Sequence, residues 1–342
     1  MDNAIDISAY TTFQLSSKVQ KVLVFKGGDI KSLLDQVPNE HSIFVLGGGS
    51  NIILPPELAD RTVVKIENKG INIVDEDDSS VTLKVASGEL WDDVVAHAVH
   101  NGYSGIEALS AIPGITGATP IQNVGAYGAE IKDVLVSLEA YDIKKKEMVT
   151  ILNAECEFAY RASIFKKEWK NKFIIIDISL KLSKLPPTVP DYKGVEEYFK
   201  TRNIVNPSLQ EIRDAIIEIR WSKLPHPEAL PNCGSFFENP IVSMIVYEKI
   251  KALYSNVPSF KISARQDLAG GKVKIPAGWL IENAELKGVN FGSVGTYEKN
   301  AIVLINCGTA TQADVISARD QIIDEVYKKF GIRLESEPEI IK

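Results

Sequence analysis

The chain has 342 residues, 45% of them hydrophobic and 24% charged, with a formal net charge of −7. That is enough apolar material for two or three domains with ordinary cores, and the negative balance argues against nucleic acid or an anionic membrane surface as the main partner. Three cysteines, Cys156, Cys233 and Cys307, are too few and too scattered for a disulfide framework or a zinc site, which points to a reducing compartment. No apolar run approaches a membrane span, and the opening MDNAIDISAYTTF lacks the basic start and apolar core of a signal peptide, so a soluble cytoplasmic protein is expected.

Residues 1–72 read as a first part. Strand Val22–Phe25 precedes a helix from Asp29, a plausible N-cap, to Val37. Residues Ser42–Leu54 then run SIFVLGGGSNIIL, and strand Val63–Ile66 follows. The three glycines Gly47, Gly48 and Gly49, with Ser50 and Asn51 after them, let backbone N–H groups converge on one concavity with no Cβ in the way. Such a nest is a ready anion site, and a pyrophosphate is its usual occupant. No G-x-G-x-x-G opens a helix and no Gly-Lys-Ser/Thr follows, so this is neither a Rossmann fingerprint nor a P-loop. Taken alone, the turn reads equally well as a tight hairpin and as a dinucleotide cradle between two strands.

Residues 73–222 read as a second part. The acidic Asp75–Asp78 is expected at a hairpin tip, before strand Val81–Ala86. Helix Trp91–Asn101, closed by Gly102, carries His97 and His100 as surface residues. Residues Gly105–Glu130 read GIEALSAIPGITGATPIQNVGAYGAE, small and nearly uncharged where a linker would be polar. This composition suggests backbone lying against a flat ligand, with Gln122 and Asn123 able to hydrogen-bond a ring edge or a phosphate, and it favours the cradle over the hairpin. Strands Leu135–Asp142, Lys146–Asn153 and Phe173–Leu182 surround YRASIFK. There Arg161 beside Tyr160 could clamp a carboxylate or phosphate, although on that motif alone a surface ion pair is the stronger reading. Pro186, Pro187 and Pro190 interrupt regular structure, and Ser208–Glu211 looks like a capping box opening a helix to about Arg220.

From Lys223 onward, SKLPHPEALPNCGSFFENP places Ser235 between a glycine and two phenylalanines, where a hydroxyl could donate a proton or act as nucleophile. No G-x-S-x-G elbow is present, and Cys233, with no histidine nearby, reads as small buried filler. Two helical patterns lead to strand Ala301–Asn306. A final helix, Thr311–Phe330, carries Val315, Ile316, Ile322, Ile323, Val326 and Phe330 on one face and stops at Gly331. The acidic run from Leu334 to Glu339 reads by composition as a solvated tail.

In order along the chain, GGGSN, IPGITGATPIQNVGAYG, YRASIFK, SKLP…CGSFFENP, PAGWLIENAELKG and LESE resemble the UDP-N-acetylenolpyruvoylglucosamine reductases, from about Thr12 to about Glu337. The GGGSN turn is shared with the wider vanillyl-alcohol-oxidase type of FAD domain, whereas NVGAYG and GSFFENP are specific to the reductases. The resemblance implies an α+β chain. A two-part FAD-binding domain would span residues 1–72 and 73–222, with residues 325–342 packing on the first part, and a third α+β substrate-binding domain would span 223–324. It implies non-covalent FAD on Gly47, Gly48, Gly49, Ser50 and Asn51 and on Pro113, Gly114, Gly117, Gln122, Asn123, Gly125, Ala126 and Tyr127.

It further implies that NADPH reduces the flavin and that a hydride then passes to C3 of the enolpyruvyl ether of UDP-N-acetylglucosamine enolpyruvate, giving UDP-N-acetylmuramate for peptidoglycan and hence for cell shape and division. Arg161 matches the residue that stabilises the enol intermediate, Ser235 the proton donor, and Glu335 the supporting acid. Pro338 stands where the family usually has valine, and a register slipped by two would make Glu337 the acid instead. Tyr160, Tyr192, Lys223 and Asn239 match substrate contacts, and Tyr192 suggests the type I subclass that closes a tyrosine-bearing loop. A monomer is expected. The alternatives are a flavin oxidase of the same domain type with another substrate and a non-enzymatic nucleotide-sugar binding protein.

Overall fold

The computed structural model describes residues 4–260 and 270–342. The chain forms two compact units that interleave in sequence. The first is chiefly Val19–Gly49 and Leu58–Ser222; the second comprises Asp6–Lys18, Ser50–Glu57 and Lys223–Lys342.

Two sheets build the first unit. In one, Ile43–Leu46 runs parallel to Glu57–Ile66, Leu46 opposite Lys65, and Lys18–Phe25 lies on the far side of Glu57–Ile66. Val63 and Val64 are fully buried there, as a strand covered on both faces requires. The other is a five-stranded antiparallel sheet in the order Glu147–Leu152, Leu135–Asp142, Phe173–Ser183, Ser80–Ala86, Ile71–Glu76. Val81, Leu83 and Val85 alternate inward and pack with Trp91, Val94, Val95 and Ala98 of helix Trp91–His100. Gly102 follows that helix at φ +76°, His97 and His100 are exposed, and Asp77 caps the hairpin tip through the amides of Ser79 and Ser80.

Helix Leu209–Lys223 opens on the expected reciprocal cap, Ser208 N–H to Glu211 Oε2 and Glu211 N–H to Ser208 Oγ. Its Ile212, Ala215 and Ile216 pack on Val195 and Phe199 of helix Lys193–Thr201. The sequence reading has no helix over 193–201. The prolines before it masked an i, i+4 pair, Val195 and Phe199, on a short segment.

The second unit centres on a core of Phe236, Phe237, Leu280, Ile281, Val303 and Leu304 closed by helix Gln312–Phe330. Thr311 and Asp314 form a capping box at its start, Gly331 ends it at φ +67°, and Val315, Ile322, Ile323, Val326 and Phe330 are buried, while Ile316 is only half-buried. Ile52–Ile53 pairs in parallel with Glu339–Ile340. The strands on either side of GGGSN therefore have different partners, and the hairpin reading of that turn is wrong. Cys156 and Cys233 are buried, Cys307 is exposed, and all three are free thiols.

Candidate active site

In the first unit the two glycine-rich stretches meet backbone to backbone. A Cβ on Gly48 would lie 2.6 Å from the Gly114 Cα, and one on Gly47 would lie 3.0 Å from the Ile115 side chain. Gly49 takes the left-handed conformation at φ +62°, and Gly114 sits at φ +126°. In the structure Gly48 needs space and Gly49 needs the positive φ. Lys65, on the strand beside Ile43–Leu46, donates from Nζ to the Gly47 carbonyl at 2.6 Å, and burial pushes its ammonium below the usual lysine range. The sequence reading passed over Lys65; its one signal was a lone cation in the apolar run TVVKI.

The second stretch is pinned at several points. The Gly114 carbonyl accepts the Trp91 amide, the Gly117 amide donates to the Ser87 carbonyl at 2.9 Å, and a Cβ on Gly117 would fall 2.5 Å from the Ser87 side chain. Gly125–Ala126 pairs with Ala129–Glu130 across a two-residue turn, Tyr127 at φ +49° and Gly128 at φ +91°, the left-handed pair a tight antiparallel turn requires. The Tyr127 ring meets Tyr192 edge to face, centroids 5.2 Å apart, and burial raises both phenols above the ordinary tyrosine value. Pro113, Gln122 and Ala126 are half-buried along the same stretch, and Asn123 is fully buried.

Tyr160 and Arg161 form the tip of another tight turn, closed by Ala159 N–H to Ala162 O at 2.9 Å and Ala162 N–H to Ala159 O at 3.2 Å, with Arg161 at φ +52°. The Arg161 Nη1 donates to the Gly125 carbonyl at 2.8 Å, and its guanidinium lies 5.4 Å from the Tyr160 ring centre. Arg161 is half-buried, and its guanidinium is tied to backbone.

In the second unit, strand Asn232–Ser235 pairs with Val303–Asn306, Ser235 opposite Val303, with an irregularity at Gly234, φ +74°. Asn232 fixes that bend: its Oδ1 accepts the Gly234 amide at 2.8 Å and its Nδ2 reaches the carbonyls of Pro225 and Leu230. The next residues pair with the acidic segment, Phe237 opposite Ser336. The Glu337 amide donates to the Phe236 carbonyl and the Glu238 amide to the Glu335 carbonyl, each at 2.9 Å. The acidic run is therefore tied down by backbone pairing and is not a solvated tail. Within it Glu335 is exposed and Glu337 half-buried. Burial first and the Glu337 charge second push the Cys233 thiol up. Asn51 donates from Nδ2 to the Glu337 carbonyl at 3.4 Å, and its own carbonyl accepts the Glu339 amide. The Asn239 Oδ1 accepts the Ala277 amide at 2.8 Å; Ser50 is half-buried and Lys223 exposed.

The first unit thus offers glycine backbone that a Cβ would fill and a half-buried ammonium on the same turn, a donor set suited to the diphosphate of a dinucleotide. No group of His, Cys, Asp or Glu among the described residues could hold a metal ion, and no helix among them is long and apolar enough to cross a membrane.

Comparison with known proteins agrees with these donors. Residues 28–151 match the model of an FAD binding domain, and residues 226–341 match the C-terminal domain of UDP-N-acetylenolpyruvoylglucosamine reductase. The reductase of that name from Flavobacterium johnsoniae is 40% identical, with 97% of both chains covered, and that from Bdellovibrio bacteriovorus is 38% identical, covering 99% of this chain and 98% of its own. The crystal structure of the Thermus caldophilus enzyme superposes with a TM-score of 0.67 at 19% identity, over 99% of this chain and 98% of that one, a likeness of fold. Fold and site together define an FAD-dependent oxidoreductase of α+β architecture. The chain belongs to the UDP-N-acetylenolpyruvoylglucosamine reductase family.

Proposed function

We propose that this chain reduces the enolpyruvyl double bond of UDP-N-acetylglucosamine enolpyruvate at the expense of NADPH, in peptidoglycan precursor synthesis. The observation that carries the reading is the backbone pairing of the segment after Ser235 with the acidic segment Glu335–Glu337, which sets a hydroxyl and a half-buried carboxylate on adjoining backbone. Bound FAD, once reduced by NADPH, would supply the hydride that C3 of the substrate receives. Gly47, Gly48, Gly49 and Lys65, with Gly114 and Gly117, would hold it.

The protein's own residues manage charge and protons. Hydride addition at C3 breaks the C=C π bond and leaves the electron pair at C2, delocalised onto the substrate carboxylate. Arg161 is a fixed cation suited to that charge, because its turn and the Gly125 carbonyl orient it before reaction. The Ser235 hydroxyl gives its proton to C2, which completes the lactyl ether. The resulting alkoxide needs a neighbouring acid. Between the two candidates, Glu337 is the better supported: it is half-buried, whereas Glu335 is exposed. Tyr160, Tyr192, Lys223 and Asn239 are the proposed substrate contacts, and the protein is proposed to work as a monomer in the cytoplasm.

The purified protein should be yellow, release its flavin on acid precipitation, and consume NADPH catalytically, beyond one equivalent per flavin, only when the enolpyruvyl nucleotide is added. Turnover of alcohols with oxygen instead would identify a flavin oxidase. A colourless protein that takes up no FAD would leave only nucleotide-sugar binding.

A further inference from the structure

Asn123 is fully buried, so no atom of it is open to a ligand. Its side chain is also committed. Nδ2 donates to Glu130 Oε2 and to the Ala159 carbonyl, each at 3.0 Å, and Oδ1 accepts the Lys132 amide at 3.2 Å. Both amide protons and the carbonyl oxygen are therefore used within the protein. The backbone adopts φ +50°, a conformation asparagine tolerates better than most residues.

The three partners lie on both sides of one junction. Glu130 and Lys132 belong to the segment that follows the Tyr127–Gly128 turn, and Glu130 also forms a close ion pair with Lys132. Ala159 closes the turn that carries Tyr160 and Arg161 at its tip. The Ala159 carbonyl accepts from Asn123 and from the Ala162 amide, which saturates it. From the same glycine-rich stretch, Gly125 receives the Arg161 guanidinium, while Ile121 receives the Ser163 hydroxyl at 2.5 Å. Three side-chain bonds thus seat the Arg161 turn on residues 121–125, and the Asn123 bond is the one at its base.

We propose that Asn123 is a positioning residue for Arg161 and not a flavin contact. It fixes the base of the Tyr160–Arg161 turn, so that the guanidinium is aimed before substrate arrives. This rests on the reading of Arg161 as the group that meets the developing enolate. A misplacement of about 1 Å in such a group costs about 10²-fold in rate.

The test compares Asn123→Ala with Arg161→Ala and with the double variant in the holoenzyme. Asn123→Ala should keep full flavin content and a flavin reduction rate by NADPH within about threefold of wild type, while reoxidation by the enolpyruvyl substrate slows about 10–100-fold. In the Arg161→Ala background the same change should add less than about twofold, because the group it positions is gone. Hydrogen exchange reads the hold independently of the reaction: amides of residues 159–163 should exchange faster, with the five-stranded sheet unchanged. Should Asn123→Ala fold poorly, Glu130→Ala, which removes one anchor of the Asn123 amide, is expected to give the same pattern more weakly. Loss of flavin, equal slowing of both half-reactions, additivity with Arg161→Ala or unchanged exchange at 159–163 would overturn the proposal. Normal reoxidation in Arg161→Ala alone would instead refute the reading of Arg161, and the exchange result would still decide whether Asn123 holds the turn.

Discussion

Gly48 and Gly114 stand so close that a Cβ on the first would lie 2.6 Å from the Cα of the second. No rotamer change can relieve that contact, because a Cβ is fixed on its own backbone, the Gly114 Cα is backbone, and the Gly114 carbonyl is held by the Trp91 amide. Gly48→Ala should therefore push the two glycine stretches apart, and Gly48→Val further. Flavin-to-protein absorbance ratios after purification should fall strongly in Gly48→Val. Near-stoichiometric flavin in that variant would refute the account of the turn. The expected cause differs from a simple clash with phosphate: the cradle opens before any ligand enters it.

Lys65→Met tests the buried ammonium. It removes a charge-assisted hydrogen bond to the Gly47 carbonyl and a cation from the turn. A loss of about 1.5–3 kcal/mol corresponds to roughly 10–100-fold weaker FAD binding, measured by fluorescence titration of apoprotein. The pH dependence has a definite sign. Burial lowers the Lys65 pKa, and the protonated form favours an anion, so wild-type affinity should fall as pH rises, starting below the range where an ordinary lysine titrates. Lys65→Met should flatten that part of the profile, and an unchanged slope would exclude Lys65 as its source.

Ser235→Ala should separate the half-reactions. Flavin reduction by NADPH needs no proton at substrate C2 and should stay near the wild-type rate, whereas reoxidation by substrate should slow by roughly 10²–10⁴. Ser235→Cys should recover part of the loss, since a thiol is the stronger acid. Glu337→Gln should slow reoxidation far more than Glu335→Gln. Stopped-flow absorbance follows both phases, and the reverse ranking of the two glutamates would return the role to Glu335.

Arg213 grips Asp92 with two bonds, Nη1 to Oδ1 at 2.6 Å and Nη2 to Oδ2 at 2.9 Å, while the Ala111 amide also reaches Oδ1 at 2.6 Å. Burial alone would raise the Asp92 carboxyl; these donors outweigh it and hold the group below the ordinary aspartate value. Its stabilising contribution is therefore complete above the unfolded aspartate pKa and is lost as pH falls through the lower folded value. The Asp92 side chain is 37% exposed, which tempers the effect. Arg213→Met should cost about 1–3 kcal/mol near neutrality. The gap to wild type in thermal or urea unfolding should narrow as pH drops below about 4. A gap that widens in acid would contradict the assignment.

Local patterns were legible wherever the physics is local. Gly331 and the apolar spacing of Val315, Ile322 and Val326 mark the last helix from sequence because a stop residue and periodicity act within a few residues. The glycine stretches and Ser235 were found for the same reason. The partner of Ile52–Ile53 was not, since Glu339–Ile340 lies far along the chain and nothing in IIL names it. Composition likewise misread the LESE segment, because acidity describes solvation and not backbone pairing. The charges of Glu335 and Glu337 are alike in sequence; only their burial in the fold distinguishes them. Asn123 was noticed as a polar group near a ligand, but its role depends on Ala159 and Glu130, which no spacing rule relates.

The parallel pairing of Ile52–Ile53 with Glu339–Ile340 bears on how the protein comes into being. The Asn51 carbonyl and the Ile53 carbonyl wait for the amides of Glu339 and Ile341. During synthesis the GGGSN segment is made nearly 290 residues before its strand partner, so Ile52–Ile53 has no strand to pair with until residues 339–341 are made. A nascent chain can form the antiparallel sheet of residues 71–183 from its own material, but the strand pairing at the exit of this turn has to wait for residues 339–341.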